Sequence, residues 1–245
     1  MARLKITMSF LGYHFEGWQK IKGKRTIQAT IEHAVSMIDD HSVSVTGCGR
    51  TDKHVSADHY VCHVDVKKDL TSAQWLKAIN AHTPEDLHVL DVEIVDEDFH
   101  ARFSVKKKLY VYTIRRQNYQ VKNYMHEYFH RYPLDPIKIK EAAKSFVGTH
   151  DFTGFNVTPK QLKENQIRTI DACDVDYDDE VIRISVLGKA FLQYQVRMMV
   201  GALIAIGSDK EDVSFIEHVL KQKQKGISRF KAEAKGLTLK EVFYD

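Results

Sequence analysis

Val43-Ser44-Val45-Thr46-Gly47-Cys48-Gly49-Arg50-Thr51-Asp52-Lys53-His54-Val55-Ser56-Ala57-Asp58-His59-Tyr60-Val61-Cys62-His63-Val64-Asp65-Val66 reads as two strands around a loop. Residues 43–48 and 57–66 carry the alternation of a half-buried strand, the second setting Val61, His63 and Asp65 against Cys62, Val64 and Val66. A helix is expected on either side. Thr26 is placed to cap one whose face is Ile27, Ile31, Ala34, Val35 and Ile38. Thr71 and Gln74 have capping-box spacing ahead of Trp75, Ala78 and Ile79. Alternating residues 3–10 and the apolar run 87–95 add a strand at each end. Strand, helix, two strands, helix, strand is the order of a ferredoxin-like α+β unit.

The second half repeats this loosely. Residues 108–114 alternate as a strand, and Asp135 before Pro136 opens a helix bearing Ile139, Ala142, Ala143 and Phe146. Residues 168–173 and 181–187 read as a strand pair around the acidic turn at Asp178 and Asp179. A long helix is expected from about 189 to 206, ending at Gly207. Ser208 and Glu211 repeat the capping-box spacing ahead of a further helix. The basic run 221–235 reads as mobile, and residues 242–244 as a last edge strand. The division between halves is placed near 104, giving 1–104 and 105–245.

Composition narrows the class. Of 245 residues, 43% are apolar, and 36 Lys and Arg face 33 Asp and Glu, which is globular and near neutral. No uncharged apolar run reaches the roughly 18 residues of a membrane span, and the first residues lack the apolar core of a signal peptide. Cys48, Cys62 and Cys173 are too few and too far apart for a disulfide framework or a paired zinc site. A reduced cytoplasmic protein without membrane, metal or cofactor is the expectation. His59 and His63 lie four apart on a strand, which is same-face geometry and not a metal motif.

Two places suggest chemistry. Arg197 is the only charged residue between Lys189 and Asp209, amid Phe191, Leu192, Val196, Met198, Met199, Val200, Leu203 and Ile204. A helix this apolar is buried, and a guanidinium stays charged, so Arg197 is expected to face an anion or a cleft. Snorkelling at a helix edge is the alternative. The second place is Gly47-Cys48-Gly49-Arg50-Thr51-Asp52, where two glycines permit close backbone approach. An ordinary turn with a local Asp hydrogen bond reads equally well from these residues.

Gly49-Arg50-Thr51-Asp52, with Val55 and Ala57, resembles the signature of the tRNA pseudouridine synthase A family. Similar segments follow in order along nearly the whole chain. They are Gly12 to Gln19 with Phe15, Gly17 and Trp18; Thr26-Ile27-Gln28 with Glu32; and Phe99-His100-Ala101-Arg102-Phe103-Ser104. Tyr110 and Tyr112 come next, then Gly148 with His150-Asp151-Phe152 and Phe155, and Arg168-Thr169-Ile170. Phe191-Leu192, Val196-Arg197, Val200-Gly201 and Gly236-Leu237 complete the set. The resemblance implies an α+β pseudouridine synthase fold: two ferredoxin-like halves sharing a mostly antiparallel sheet, helices outside, RNA in a central cleft. It implies a cofactor-free, homodimeric isomerase of uridine at positions 38, 39 and 40 of the tRNA anticodon arm. In that likeness Asp52 is the nucleophile, and Arg197 the arginine that pairs with it and keeps it ionised. Tyr110 stacks on the target base and helps remove a proton. Arg50 assists base flipping, and Phe99, His100, Ala101, Arg102 and Phe103 form an RNA-contacting loop.

The sequence departs from the family pattern just after Asp52, where Lys53, His54 and Ser56 replace a small residue, a glycine and a histidine. A positive φ at the glycine position would strain His54. Tyr60 replaces a glutamine, and Glu233 a proline. These changes motivate two other readings: an RNA-binding paralogue without turnover, or the same isomerisation on another RNA. Basic clusters at 20–25, 106–108, 115–116 and 221–231, interleaved with Tyr and Phe, suit phosphate-backbone contact.

Overall fold

The computed structural model describes residues 1–158 and 165–244. The chain forms two compact units: Met1–Lys106 with Thr238–Asp245, and Lys107–Leu237. The division expected at 104 leaves the last strand with the second half, whereas the structure groups it with the first.

In the first unit, β1 (Ala2–Phe10), α1 (Ile27–Asp39), β2 (Thr46–Gly47), β3 (Ser56–Val66), α2 (Ser72–His82) and β4 (Leu87–Val95) follow in the expected order. β1 lies between β4 and β3, antiparallel to both. β2 pairs antiparallel with β3 near its end, and β10 (Leu237–Phe243) pairs parallel with its start at Thr238–Ser56 and Leu239–Ala57. Strand alternation decides the faces: Leu4, Ile6, Met8 and Phe10 of β1 point into the core. Ile27, Ile31, Ala34 and Val35 of α1 and Trp75 and Ile79 of α2 are buried with them. Thr26 accepts a hydrogen bond from the Ala29 amide, and Thr71 and Gln74 form the full capping box.

One expected strand is mostly absent. Residues 43–45 form no strand; Val43 and Val45 are buried, and their backbone is paired by side chains of α1. The Val43 amide donates to Ser36 Oγ (3.1 Å) and the Val45 amide to Glu32 Oε1 (3.1 Å). Gln28 Nε2 donates to the Val45 carbonyl (3.1 Å). Helix side chains satisfy groups that a neighbouring strand would otherwise take.

The second unit carries β5 (Lys107–Arg115), β6 (Tyr128–Phe129), α3 (Pro136–Ala143), β7 (Gly148–Asp151), β8 (Ile167–Tyr177), β9 (Val181–Gly188), α4 (Gln195–Gly207) and α5 (Phe215–Gln222). Its antiparallel sheet runs β5-β9-β8-β7, and β6 adds to β5 in parallel. Asp135 caps α3 by accepting from the Ile137 and Lys138 amides, with Pro136 in the first turn. Tyr112, Ile114, Ile182, Ile184, Val186 and Ile139 form the core beside Phe146, Phe152 and Phe155.

Four expectations about the later part of the chain need correction. The long helix begins at Gln195, not near 189, because Tyr194 takes a left-handed conformation (φ 61°) that no α-helix continues through. Ser208 does not start a helix. Its hydroxyl donates back to the Ile204 carbonyl (2.8 Å) at the end of α4, and α5 begins seven residues later. The basic run 221–235 is anchored: Lys225 Nζ donates to Asn156, the Ala232 amide donates to the Arg197 carbonyl (2.9 Å), and Ser228 is buried. The last strand begins at Leu237, five residues before the expected edge strand. No helix among the described residues is long and apolar enough to cross a membrane.

Candidate active site

The Asp52 loop is shaped by the segment before α1. Trp18 donates its amide to the Thr51 carbonyl (3.1 Å), and the His54 amide donates to the Phe15 carbonyl (3.4 Å). The Gly12 amide donates to Ser56 Oγ (3.0 Å), so residues 12–18 bond the loop on both sides of Asp52. Gly17 makes this approach possible. It sits at φ 91°, and a Cβ there would lie 2.8 Å from the Thr51 carbonyl oxygen and 3.1 Å from the Asp52 carbonyl carbon. Beneath the loop, Trp18 stacks on Tyr60 (4.5 Å between centroids, 26°), whose hydroxyl donates to the Gly49 carbonyl. Tyr60 fits because Gly47 has no side chain: a Cβ would lie 2.1 Å from its hydroxyl. Thr51 is buried, Asp52 half-buried and Arg50 exposed. The Val55 amide closes a turn onto the Asp52 carbonyl (3.2 Å).

The three replacements after Asp52 have partners. His54 does take a positive φ (68°) and stacks on Tyr13 at 5.1 Å and 25°. Lys53 Nζ meets Glu16 Oε1 at 2.8 Å and holds the Glu16 carboxyl below its ordinary range. Ser56 serves Gly12. Neither Tyr13 nor Glu16 stands out in the sequence, because the contacts of each with the loop join segments about forty residues apart.

The loop 99–104 of the same unit hangs on two imidazoles. His63, buried in β3, accepts from the Ala101 amide through Nδ1 (3.1 Å). His100 Nδ1 accepts from the Arg102 (3.1 Å) and Phe103 (3.2 Å) amides. Tyr244 donates to the Ala101 carbonyl (2.7 Å), and Arg3 to the Phe99 carbonyl (3.0 Å). Burial, then the nearby His100 and Arg3, push His63 down to about 4. Ala101 is buried, whereas Phe103 is 74% exposed and lies stacked on His100 (4.2 Å, 29°) with the Arg102 guanidinium 5.8 Å away. This is an aromatic platform with a cation at its rim. His59, by contrast, is exposed and reaches the Lys240 carbonyl and Glu241.

In the second unit, α4 is buried along nearly its whole length, and only Arg197 and Ile204 are partly exposed. Arg197 Nε donates to the Ala232 carbonyl (3.0 Å), and its guanidinium carbon lies 5.1 Å from the Tyr194 ring centre. The segment 230–232 comes this close because Gly201 leaves room: a Cβ there would be 2.7 Å from the Lys231 amide nitrogen. Tyr110 is half-buried on β5, edge-on to Phe191 at 5.2 Å. Tyr112 on the same strand face is a core residue instead, donating to the Glu233 carbonyl (2.9 Å). Glu233 thus contributes through its backbone.

A family model described as tRNA pseudouridine synthase matches residues 6–104 and 142–245. The chain is 36% identical over 247 residues to tRNA pseudouridine synthase A of Geobacillus sp. (strain WCH70), covering 99% of this chain and 98% of that one. It is 38% identical over 253 residues to the protein of the same name from Limosilactobacillus reuteri (strain DSM 20016), covering 100% and 97%. The Streptococcus suis (strain 05ZYH33) protein of that name is 35% identical over 251 residues, with both chains fully covered. The chain is therefore a member of the tRNA pseudouridine synthase family, isomerases that convert uridine to pseudouridine in tRNA.

Proposed function

We propose that this protein isomerises uridines 38, 39 and 40 of the tRNA anticodon arm, as a cytoplasmic homodimer, with Asp52 as the nucleophile. The reaction breaks the bond between ribose C1′ and uracil N1 and forms one from C1′ to C5. The C5 proton leaves and N1 gains one, so atoms balance without oxidant, reductant or cofactor. Only an ionised carboxylate attacks the sugar or steadies its positive charge, and Arg197 supplies the cation that favours that state. Tyr110 presents its ring to the base and its hydroxyl to the C5 proton. Arg50, exposed two residues before Asp52, suits a role beside an extruded base, whose removal from the stack costs a few kcal/mol. Phe99, His100, Ala101, Arg102 and Phe103 meet the RNA, with the exposed ring of Phe103 as the stacking surface.

The observation that carries this reading is the Asp52 loop. Its backbone is held on both sides by residues 12–18, the preorganisation a nucleophile needs. The test is incubation with an unmodified tRNA transcript, followed by carbodiimide-stop mapping of pseudouridine. Stops at 38–40 support the reading. Stops only elsewhere point to another target, and tRNA binding without any product points to the non-catalytic paralogue.

A further inference from the structure

The Asp52 carboxylate must be held still, yet the chain places a positive-φ histidine two residues after it. A non-glycine residue in that region is held there by surrounding structure. Here the surrounding structure is specific. Tyr13 lies nearly parallel to the His54 ring at 5.1 Å, and Glu16 grips Lys53 at 2.8 Å. Both partners come from the one segment that also bonds the loop at the Thr51 carbonyl, the His54 amide and the Ser56 hydroxyl. Tyr13 follows Gly12, where a Cβ would lie 2.0 Å from the Val55 carbonyl oxygen. Glu16 precedes Gly17, where a Cβ would lie 3.1 Å from the Asp52 carbonyl carbon. Each side-chain pair therefore adjoins in sequence a glycine that lets the segment approach the loop backbone.

We propose that Tyr13 and Glu16 are positioning residues for Asp52, acting through His54 and Lys53 to hold the nucleophile's loop in its reactive conformation. The inference rests on the reading of Asp52 as the nucleophile. A glycine after Asp52 leaves the backbone free to adopt positive φ without help. With His54 in that place, the conformation depends on the stack with Tyr13. Lys53, directly beside the nucleophile, is tied to Glu16 at 2.8 Å, which fixes the loop between Asp52 and His54 to the same segment.

The test measures single-turnover pseudouridine formation with the full-length protein in excess over labelled tRNA, and tRNA binding in parallel. Tyr13→Ala is expected to slow the chemical step about three- to tenfold, with tRNA affinity unchanged. Tyr13→Phe, which keeps the ring, retains the wild-type rate. Tyr13→Ala in a His54→Gly background costs nothing further, because the strained residue is gone. Glu16→Gln and Lys53→Ala slow the step alike, and the double variant is no slower than either. These two sit on an exposed ion pair that contributes little to folding, so they stay informative if Tyr13→Ala fails to fold. Additive losses in either pair, a Tyr13→Phe protein as slow as Tyr13→Ala, or a change in affinity alone would overturn the inference. Wild type and Asp52→Asn run alongside: an active Asp52→Asn protein would overturn the inference together with the reading it rests on.

Discussion

Protonation of one buried imidazole should loosen the loop 99–104 in a measurable pH window. His63 is 7% exposed and accepts the Ala101 amide through Nδ1, so that nitrogen carries no proton in the folded state. The groups around it are Arg3 from β1, the His100 ring from the loop, Lys5 opposite it in the strand register and Asp65 as the opposing carboxylate. Its folded pKa of about 4 lies below the ordinary 6.5. A lowered histidine pKa means that the unfolded chain binds the proton first, so stability is complete above pH 6.5 and falls as pH drops toward 4. Between pH 7.5 and 5 the linkage amounts to about 2 kcal/mol. Urea unfolding at the two pH values, on wild type and His63→Asn, measures it. Wild type should lose about 2 kcal/mol more than the variant. The His63 Cε1 proton, followed by NMR, should titrate near pH 4. Equal losses in the two proteins, or a midpoint near 6.5, would refute the reasoning.

Three further outcomes follow from the geometry. Gly17→Ala puts a methyl group 2.8 Å from the Thr51 oxygen at φ 91°, and should cost about 2 kcal/mol in thermal unfolding while cutting turnover more than tenfold. Phe103→Ala removes the exposed ring and should weaken tRNA binding by about 1–3 kcal/mol in a filter assay, leaving the saturated rate intact. Arg197→Lys keeps the charge but loses the Nε–H donated to Ala232; single-turnover assays should show a loss above tenfold, and calorimetry only a modest fall in Tm.

What the sequence could reveal divides along a physical line. Local signals read correctly: Thr26, the Thr71–Gln74 box and Asp135-Pro136 each start a helix by contacts within four residues. The apolar belt of α4 marked Arg197 as the one charge on a buried helix. Signals that tertiary contact outbids mislead. Residues 43–45 have strand alternation, yet Ser36, Glu32 and Gln28 take their backbone groups. Ser208 spends its hydroxyl on the preceding helix, and left-handed Tyr194 stops the pattern that begins at 189. At the site, Asp52, Arg50 and the 99–103 loop stood out through motif likeness. Tyr13, Glu16 and His63 did not, since each matters through a partner 37 or more residues away in sequence.

The role of Asp52 as the group that attacks the sugar is tested most directly by replacing one atom set. Asp52→Asn keeps the shape and removes the charge, so the loop, its bonds to residues 12–18 and the RNA surface should persist. Wild type and Asp52→Asn are assayed side by side for tRNA affinity and single-turnover pseudouridine formation on the same transcript. The account predicts unchanged binding with product formation abolished in the variant. Product formed by Asp52→Asn at the wild-type rate would contradict it.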